Sequence, residues 1–141
     1  MKKVYVSLIA DLVHGGQFSV LKEAKRHGDV TVSLLTSTAI NELDDIAFLK
    51  YKQRLSVFEN LEMAPRVVPQ DSASYFNKSI DLKPDLLVHG DDWKQGPQSK
   101  YREEVVNLLN QWGGKLNEIE YSKDISDQNI KHQLLKDVFY V

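Results

Sequence analysis

Two short apolar runs, "VYVSLI" at residues 4–9 and "VTVSLL" at residues 30–35, flank a stretch in which Phe18, Val20, Leu21 and Ala24 recur at helical spacing. Runs this short and this rich in β-branched residues suit strands, whereas the i, i+3, i+4 recurrence between them suits one face of a helix. Gly28 and Asp29 supply the stop. Strand, helix and strand within about thirty residues is the size of one βαβ unit. A crossover of that length makes the two strands parallel.

The alternation continues along the chain. Residues 51–61 read as a helix with Leu55, Phe58 and Leu61 on one face, Arg66-Val67-Val68 as a short strand, and residues 74–80 as another helix. Lys83-Pro84-Asp85 introduces the strand "LLVHG". Residues 101–112 then form an amphipathic helix with Val105, Leu108, Leu109 and Trp112 inward, closed by Gly113-Gly114. "KLNEIEY" reads as a last strand, and residues 126–135 as a last helix with Ser126 as its N-cap. No linker, repeat or low-complexity tract interrupts the series. The expectation is one α/β domain over residues 1–141, a Rossmann-like three-layer sandwich with a parallel sheet of about five strands.

Composition removes several classes of function. The formal net charge is −2, with both signs mixed along the chain, which argues against a nucleic-acid partner. There is no cysteine, hence neither a disulfide framework nor a thiolate metal site. Met1-Lys2-Lys3 is followed by only a short apolar run, and no segment approaches membrane-spanning length. A cytoplasmic protein with no membrane partner is expected.

Ligands of open parallel sheets bind outside the carboxyl ends of the strands, near the point where strand order reverses. Two motifs fall on such ends: "ADLVHGGQ" after the first strand and "HGDDW" after the fourth. Gly15 and Gly16 open a helix without side chains, so a ligand can approach the backbone closely. The amide groups of a first helical turn favour an anion, and His14 adds a donor able to carry charge near neutral pH. Together these suit a phosphate. A glycine-rich turn with an incidental histidine is the alternative.

On "ADLVHGGQFSVLKEAKRHGDVTVSLLT", "RVVPQ", "KPDLLVHGDDWKQG" and "WGGKLNEIEYSKDIS", in that order from about Val4 to Leu134, the chain resembles the cytidylyltransferase superfamily. The likeness is strongest to the cytidylyltransferase-like domains of phosphonate pathways, often fused to phosphoenolpyruvate mutase. It is more distant to bacterial glycerol-3-phosphate cytidylyltransferases. The resemblance implies transfer of CMP from CTP to a small phosphonate or phosphate, with Mg²⁺ arriving with the nucleotide and pyrophosphate leaving. It also implies a homodimer, and fusion to or association with a phosphoenolpyruvate-mutase-like domain.

Carried over residue by residue, the resemblance makes His14 and Gln17 the catalytic pair at the turn and Gly15 and Gly16 the cradle of the triphosphate. Ala10 and Asp11 would line the strand end, with Asp11 shaping the turn or meeting a metal. Gly90, Asp91, Asp92 and Trp93 would meet the nucleoside, and Ile125 and Ser126 would contribute before the last helix. For Asp91, Asp92 and Trp93 the alternative is a capped loop with a packed tryptophan. His89 is open between core and site lining, and Arg54 between a phosphate contact and a surface salt bridge. Trp112 reads as packing, and His27 and His132 as surface residues. No His/Asp/Glu spacing supports a resident metal site.

Three positions depart from the family pattern. Gln17 stands where the second histidine of H-x-G-H belongs, and an amide cannot become cationic. Asp44 and Asp45 fall about where relatives carry a loop lysine or arginine. Asp127 and Gln128 replace small hydroxyl residues. Each change removes positive charge or a phosphate donor. Lys50, Lys52, Lys94 or Lys123 could supply charge from new places. The other readings are a degenerate domain kept as a nucleotide-binding, anion-binding or assembly module, and binding of a different anion without turnover.

Overall fold

Valine-rich runs become central strands where both of their faces can be covered, and the two runs that open the chain do so. The computed structural model describes residues 1–11, 15–61, 65–75, 81–96 and 98–120. Strand β1 is Lys3–Leu8 and β2 is Asp29–Leu35, and each is buried at every position after its first. Helix α1, Gly15–His27, makes the crossover between them. Strands β3 (Arg66–Gln70), β4 (Leu86–Gly90) and β5 (Lys115–Ile119) complete a five-stranded sheet in the order β3-β2-β1-β4-β5. All four pairings are parallel. Pro69 sits in β3, at the sheet edge, where its missing N–H costs no ladder bond on the open side.

The period of two divides the core into layers. Val4, Val6 and Leu8 of β1 join Val30, Val32 and Leu34 of β2 against Val20, Leu21 and Ala24 of α1 and Phe58. Phe58 belongs to α3, Tyr51–Glu59. On the opposite face, Tyr5 and Leu87 meet Val105, Leu108 and Leu109. Those three lie on α4, Ser99–Asn110. The Rossmann-like α/β sandwich expected from the sequence is therefore the fold. No helix among the described residues is long and apolar enough to cross a membrane.

Some boundaries differ from the expectation, each for a local reason. Helix α2, Ser37–Glu42, has no counterpart in the sequence reading; Thr36 caps it by accepting from the Ala39 N–H at 3.3 Å. Residues 74 and 75, expected in a helix, are irregular because the Glu104 carboxylate takes the Ser74 hydroxyl at 2.8 Å and the Tyr75 N–H at 2.6 Å. Residues 76–80 of that expected helix and the whole last helix, residues 126–135, lie outside the described residues. Helix α4 begins and ends two residues earlier than expected, and the glycine pair closes the turn that follows it. Gly113 adopts φ +75°, and a Cβ on Gly114 would stand 2.7 Å from the Pro84 carbonyl oxygen. Trp112 is half-buried and donates to that same oxygen at 2.8 Å, a packing role.

The strand order reverses between β1 and β4, which defines the switch point. Pairing there is short: Val4 with Leu86 and Tyr5 with Leu87. Strands β1 and β2 stay paired over all six residues from Lys3 to Leu8. The carboxyl-terminal halves of β1 and β4 are thus not laddered to one another, and two motifs follow these neighbouring strands at their carboxyl ends, where a switch-point crevice is expected.

Candidate functional site

The β1 side of the crevice is built on two buried charges. Ala10 and Asp11 follow the strand, 0 % and 1 % exposed, and Ala10 adopts φ +54°. The Asp11 carboxylate accepts from the Phe48 and Leu49 backbone N–H groups, both at 2.7 Å. Arg54, also 0 % exposed, donates Nε–H to the Leu49 carbonyl at 3.1 Å. Its Nη1 donates to the carbonyls of Ile9, at 3.0 Å, and of Leu35. Main-chain carbonyls at the carboxyl ends of parallel strands carry partial negative charge, and here they solvate a cation withdrawn from water. The Leu49 backbone is held from both sides, its N–H by the anion and its C=O by the cation.

These contacts bear on two alternatives left open by the sequence. Arg54 is not a surface ion pair; its donors hold the ends of β1 and β2. Both oxygens of Asp11 are engaged by backbone amides, the turn-shaping role. Helix α1 starts at Gly15, so its first-turn amides open directly beyond the end of β1. His14, Ile125 and Ser126 lie outside the described residues, as do Asp127, Gln128 and the side chain of Gln17.

The β4 side is built differently. Gly90 caps a 3₁₀ turn, Asp91–Trp93, at the strand end. Trp93 is 1 % exposed and stacks on His89, with ring centroids 3.6 Å apart and planes within 4°. Its outer neighbour is Tyr75, at 5.8 Å. The indole Nε1–H donates to Glu118 at 2.9 Å. His89 Nδ1 is 2.8 Å from the Gly90 carbonyl, which can only accept, so that nitrogen carries the proton. Burial pushes the His89 pKa below the usual imidazole range, while the Gly90 carbonyl, Asp92 and Glu118 pull it upward. Asp92 remains open, with 41 % of its side chain exposed and Oδ1 3.9 Å from His89 Nδ1.

The structure therefore brings together Ala10, Asp11, the start of α1, His89, Gly90, Asp91, Asp92 and Trp93 around one switch point. Two residues of this neighbourhood escaped the sequence reading: Glu118 on β5 and Arg102 on α4. Arg102 grips the Glu118 carboxylate with two bonds, Nε at 3.0 Å and Nη2 at 2.8 Å. That grip, then the Trp93 indole, holds the Glu118 carboxyl below the usual range. A signal was available. Glu118 lies two residues from Leu116, on the core-facing side of β5, where a charge needs a partner.

Asp44, at φ +57°, and Asp45 occupy the loop between α2 and α3. The same loop exposes Ile46, Phe48 and Leu49, at 71 %, 44 % and 36 %. Among the described residues, no three His, Asp or Glu side chains converge as a metal site.

A parallel α/β sheet whose strand order reverses beside its first strand is the architecture of doubly wound domains, which take ligands at the carboxyl ends of the strands. The fold alone is shared, at TM-score 0.69 and 22% identity, with a lipopolysaccharide core biosynthesis protein from Thermoplasma volcanium GSS1, over 87% of this chain and 98% of that one. Sequence carries the assignment further. The chain is 30% identical over 96 residues to glycerol-3-phosphate cytidylyltransferase of Bacillus subtilis, covering 67% of this chain and 74% of that protein. It is 28% identical over 142 aligned positions to the bifunctional protein HldE of Yersinia enterocolitica, covering 92% of this chain. The match spans only 27% of the length of that relative. No family model matches the chain. The chain belongs to the cytidylyltransferase superfamily, and its general class of chemistry is nucleotidyl transfer.

Proposed function

We propose that the domain transfers CMP from CTP to a small phosphonate or phosphate. The observation that carries this reading is the meeting, at one switch point, of the glycine-opened helix α1 and the "HGDDW" turn. A helix start suits the triphosphate, and carboxylates on the facing turn suit the hydroxyl groups of a ribose. An acceptor oxyanion attacks the α-phosphorus in line. The new O–P bond forms as the bond to the β-phosphate oxygen breaks, and pyrophosphate departs.

Such a transfer needs no protein nucleophile. It needs reactants held in line and charge stabilised as it develops. In this reading His14 donates to the triphosphate, the Gly15 and Gly16 amides cradle it, and Gln17 supplies a neutral second donor. Asp91 and Asp92 hold the nucleoside. Magnesium fits as a passenger of the triphosphate, bound by phosphate oxygens and water, because the Asp11 oxygens are engaged and no metal cluster forms among the described residues. Bound that way, it neutralises phosphate charge.

The test is calorimetric titration with Mg·CTP, with Mg·ATP and Mg·GTP as controls, followed by pyrophosphate release across a panel of phosphonates and phosphate esters. Selective CTP binding with release is the expected result. In addition, His14→Ala should nearly abolish turnover, and Gln17→His should raise it or leave it intact. One observation favours a second reading, a binding module without turnover. The loop that carries Asp44 and Asp45 exposes three apolar side chains, and its first cation is Lys50. Nucleotide binding without release for any acceptor would favour that reading.

A further inference from the structure

Glu118 and His89 are partners in the parallel β4–β5 register, one pair beyond Val88 with Asn117. Partner residues of a parallel ladder share a face. The pair Leu87 and Leu116 lies on that face too, packed in the cluster under α4. Trp93 folds back from the turn, lays its ring on His89 and points its indole N–H at Glu118. Arg102 reaches down from α4 and takes both carboxylate oxygens. Glu118 is 13 % exposed in its side chain and Arg102 32 %.

An inward-facing carboxylate is a costly choice on a strand where a leucine would pack. Its return is direction. Three N–H donors converge on two oxygens, and one of them comes from the turn that carries Asp91 and Asp92. Stacking alone would let the indole slide over the imidazole, because ring faces set separation rather than in-plane rotation. A hydrogen bond to a carboxylate already clamped by a guanidinium fixes the rotation.

We infer that Glu118, clamped by Arg102, is the positioning residue of the nucleoside-binding turn, latching the Trp93 indole so that Asp91 and Asp92 keep one orientation. The inference rests on the proposed function for what the two aspartates hold, but the latch itself is a property of the free protein. Glu118 acts through Trp93 and touches no substrate.

The full chain is tested with Glu118→Leu, Glu118→Gln and Trp93→Phe. The readouts are the Trp93 indole N–H resonance, amide exchange of residues 90–94, and calorimetric affinity for Mg·CTP. Trp112→Phe assigns the resonance, since the chain has two tryptophans. Glu118→Leu should shift the resonance, speed exchange in the turn and weaken Mg·CTP by about tenfold. Glu118→Gln still offers a carbonyl oxygen to the indole and should stay within about threefold of the parent. Trp93→Phe keeps the ion pair and loses the donor; it should weaken binding as Glu118→Leu does, and it decides the matter if the leucine variant does not fold. Unchanged affinity in Trp93→Phe, or glutamine as damaging as leucine, overturns the latch. If the parent chain binds no Mg·CTP, the functional reading fails instead, and unaltered exchange of residues 90–94 in the Glu118 or Trp93 variants overturns the latch separately.

Discussion

The two sides of the crevice are held by opposite strategies. Beyond β1, a buried guanidinium and a buried carboxylate hold main-chain groups at Ile9, Leu35, Phe48 and Leu49. Beyond β4, side chains hold side chains: an aromatic stack, an indole N–H and a bidentate ion pair, with Asp92 left facing water. The first arrangement sets where the backbone runs. The second spends its rigid parts on the core side and leaves a carboxylate available. Charged residues in a site-forming turn can thus be scaffold or contact, and burial separates the two.

Breaking the β1 side should cost the most stability. Arg54→Met fills much of the same volume but leaves three carbonyls without their donor, which should lower the unfolding free energy by about 3 kcal/mol or more. Asp11→Asn keeps the shape, yet turns an N–H₂ group or a neutral oxygen toward two amide donors. A loss of about 2 kcal/mol is expected. Urea denaturation measures both. A loss below about 0.5 kcal/mol in either variant, the level of an ordinary surface change, would contradict the scaffold role of that charge.

The division between scaffold and contact also explains what could be read before the fold was known. Burial on both faces imprints β1 and β2 as unbroken apolar runs, and α1 as a period of about 3.6 residues, so the sheet and its switch point were legible. Helix α2 was not, because six residues with only Ala39 and Ile40 buried are too few to show a period. Arg54 resisted reading for a deeper reason: its partners are carbonyls, which every residue possesses and no side chain announces. The place of the "HGDDW" turn at a strand end was legible. Its support was not, since Glu118 and Trp93 are 25 residues apart in the chain and meet only through β4–β5 register.

A smaller effect should distinguish the β4 side through pH. Burial disfavours the protonated form of His89, which is faced by Asp92 from its own turn and by Glu118 from β5, itself paired with Arg102 from α4, with Lys94 adjoining Glu118. The unfolded imidazole takes up a proton near its ordinary value of about 6.5, whereas the folded one resists. The unfolded state therefore binds more protons below that pH. Stability is fully present above pH of about 6.5 and falls as the solution is acidified toward the depressed folded value, by at most about 1.4 kcal/mol per pH unit for one proton. Glu118, held low mainly by Arg102, adds a second loss below about pH 4.5. His89→Phe preserves the stack on Trp93 and should flatten the dependence between pH 7.5 and 5.5. An equally steep dependence in that variant would assign the loss to another group.

Asp92→Asn should change stability least and binding most clearly. Its side chain is 41 % exposed and its approach to His89 is 3.9 Å long, so the fold gains little from its charge. The expected change in unfolding free energy is within about 0.5 kcal/mol. If the aspartate holds a ribose hydroxyl, the amide still accepts one hydrogen bond but loses the charge that strengthened it, and Mg·CTP affinity should fall by about tenfold. Paired denaturation and titration of the one variant then set the two quantities side by side. A stable protein with weakened binding places Asp92 among the contacts and Arg54 among the scaffold. Unchanged binding would move the nucleoside contact away from Asp92, and the exposed half of the comparison would lose its functional meaning.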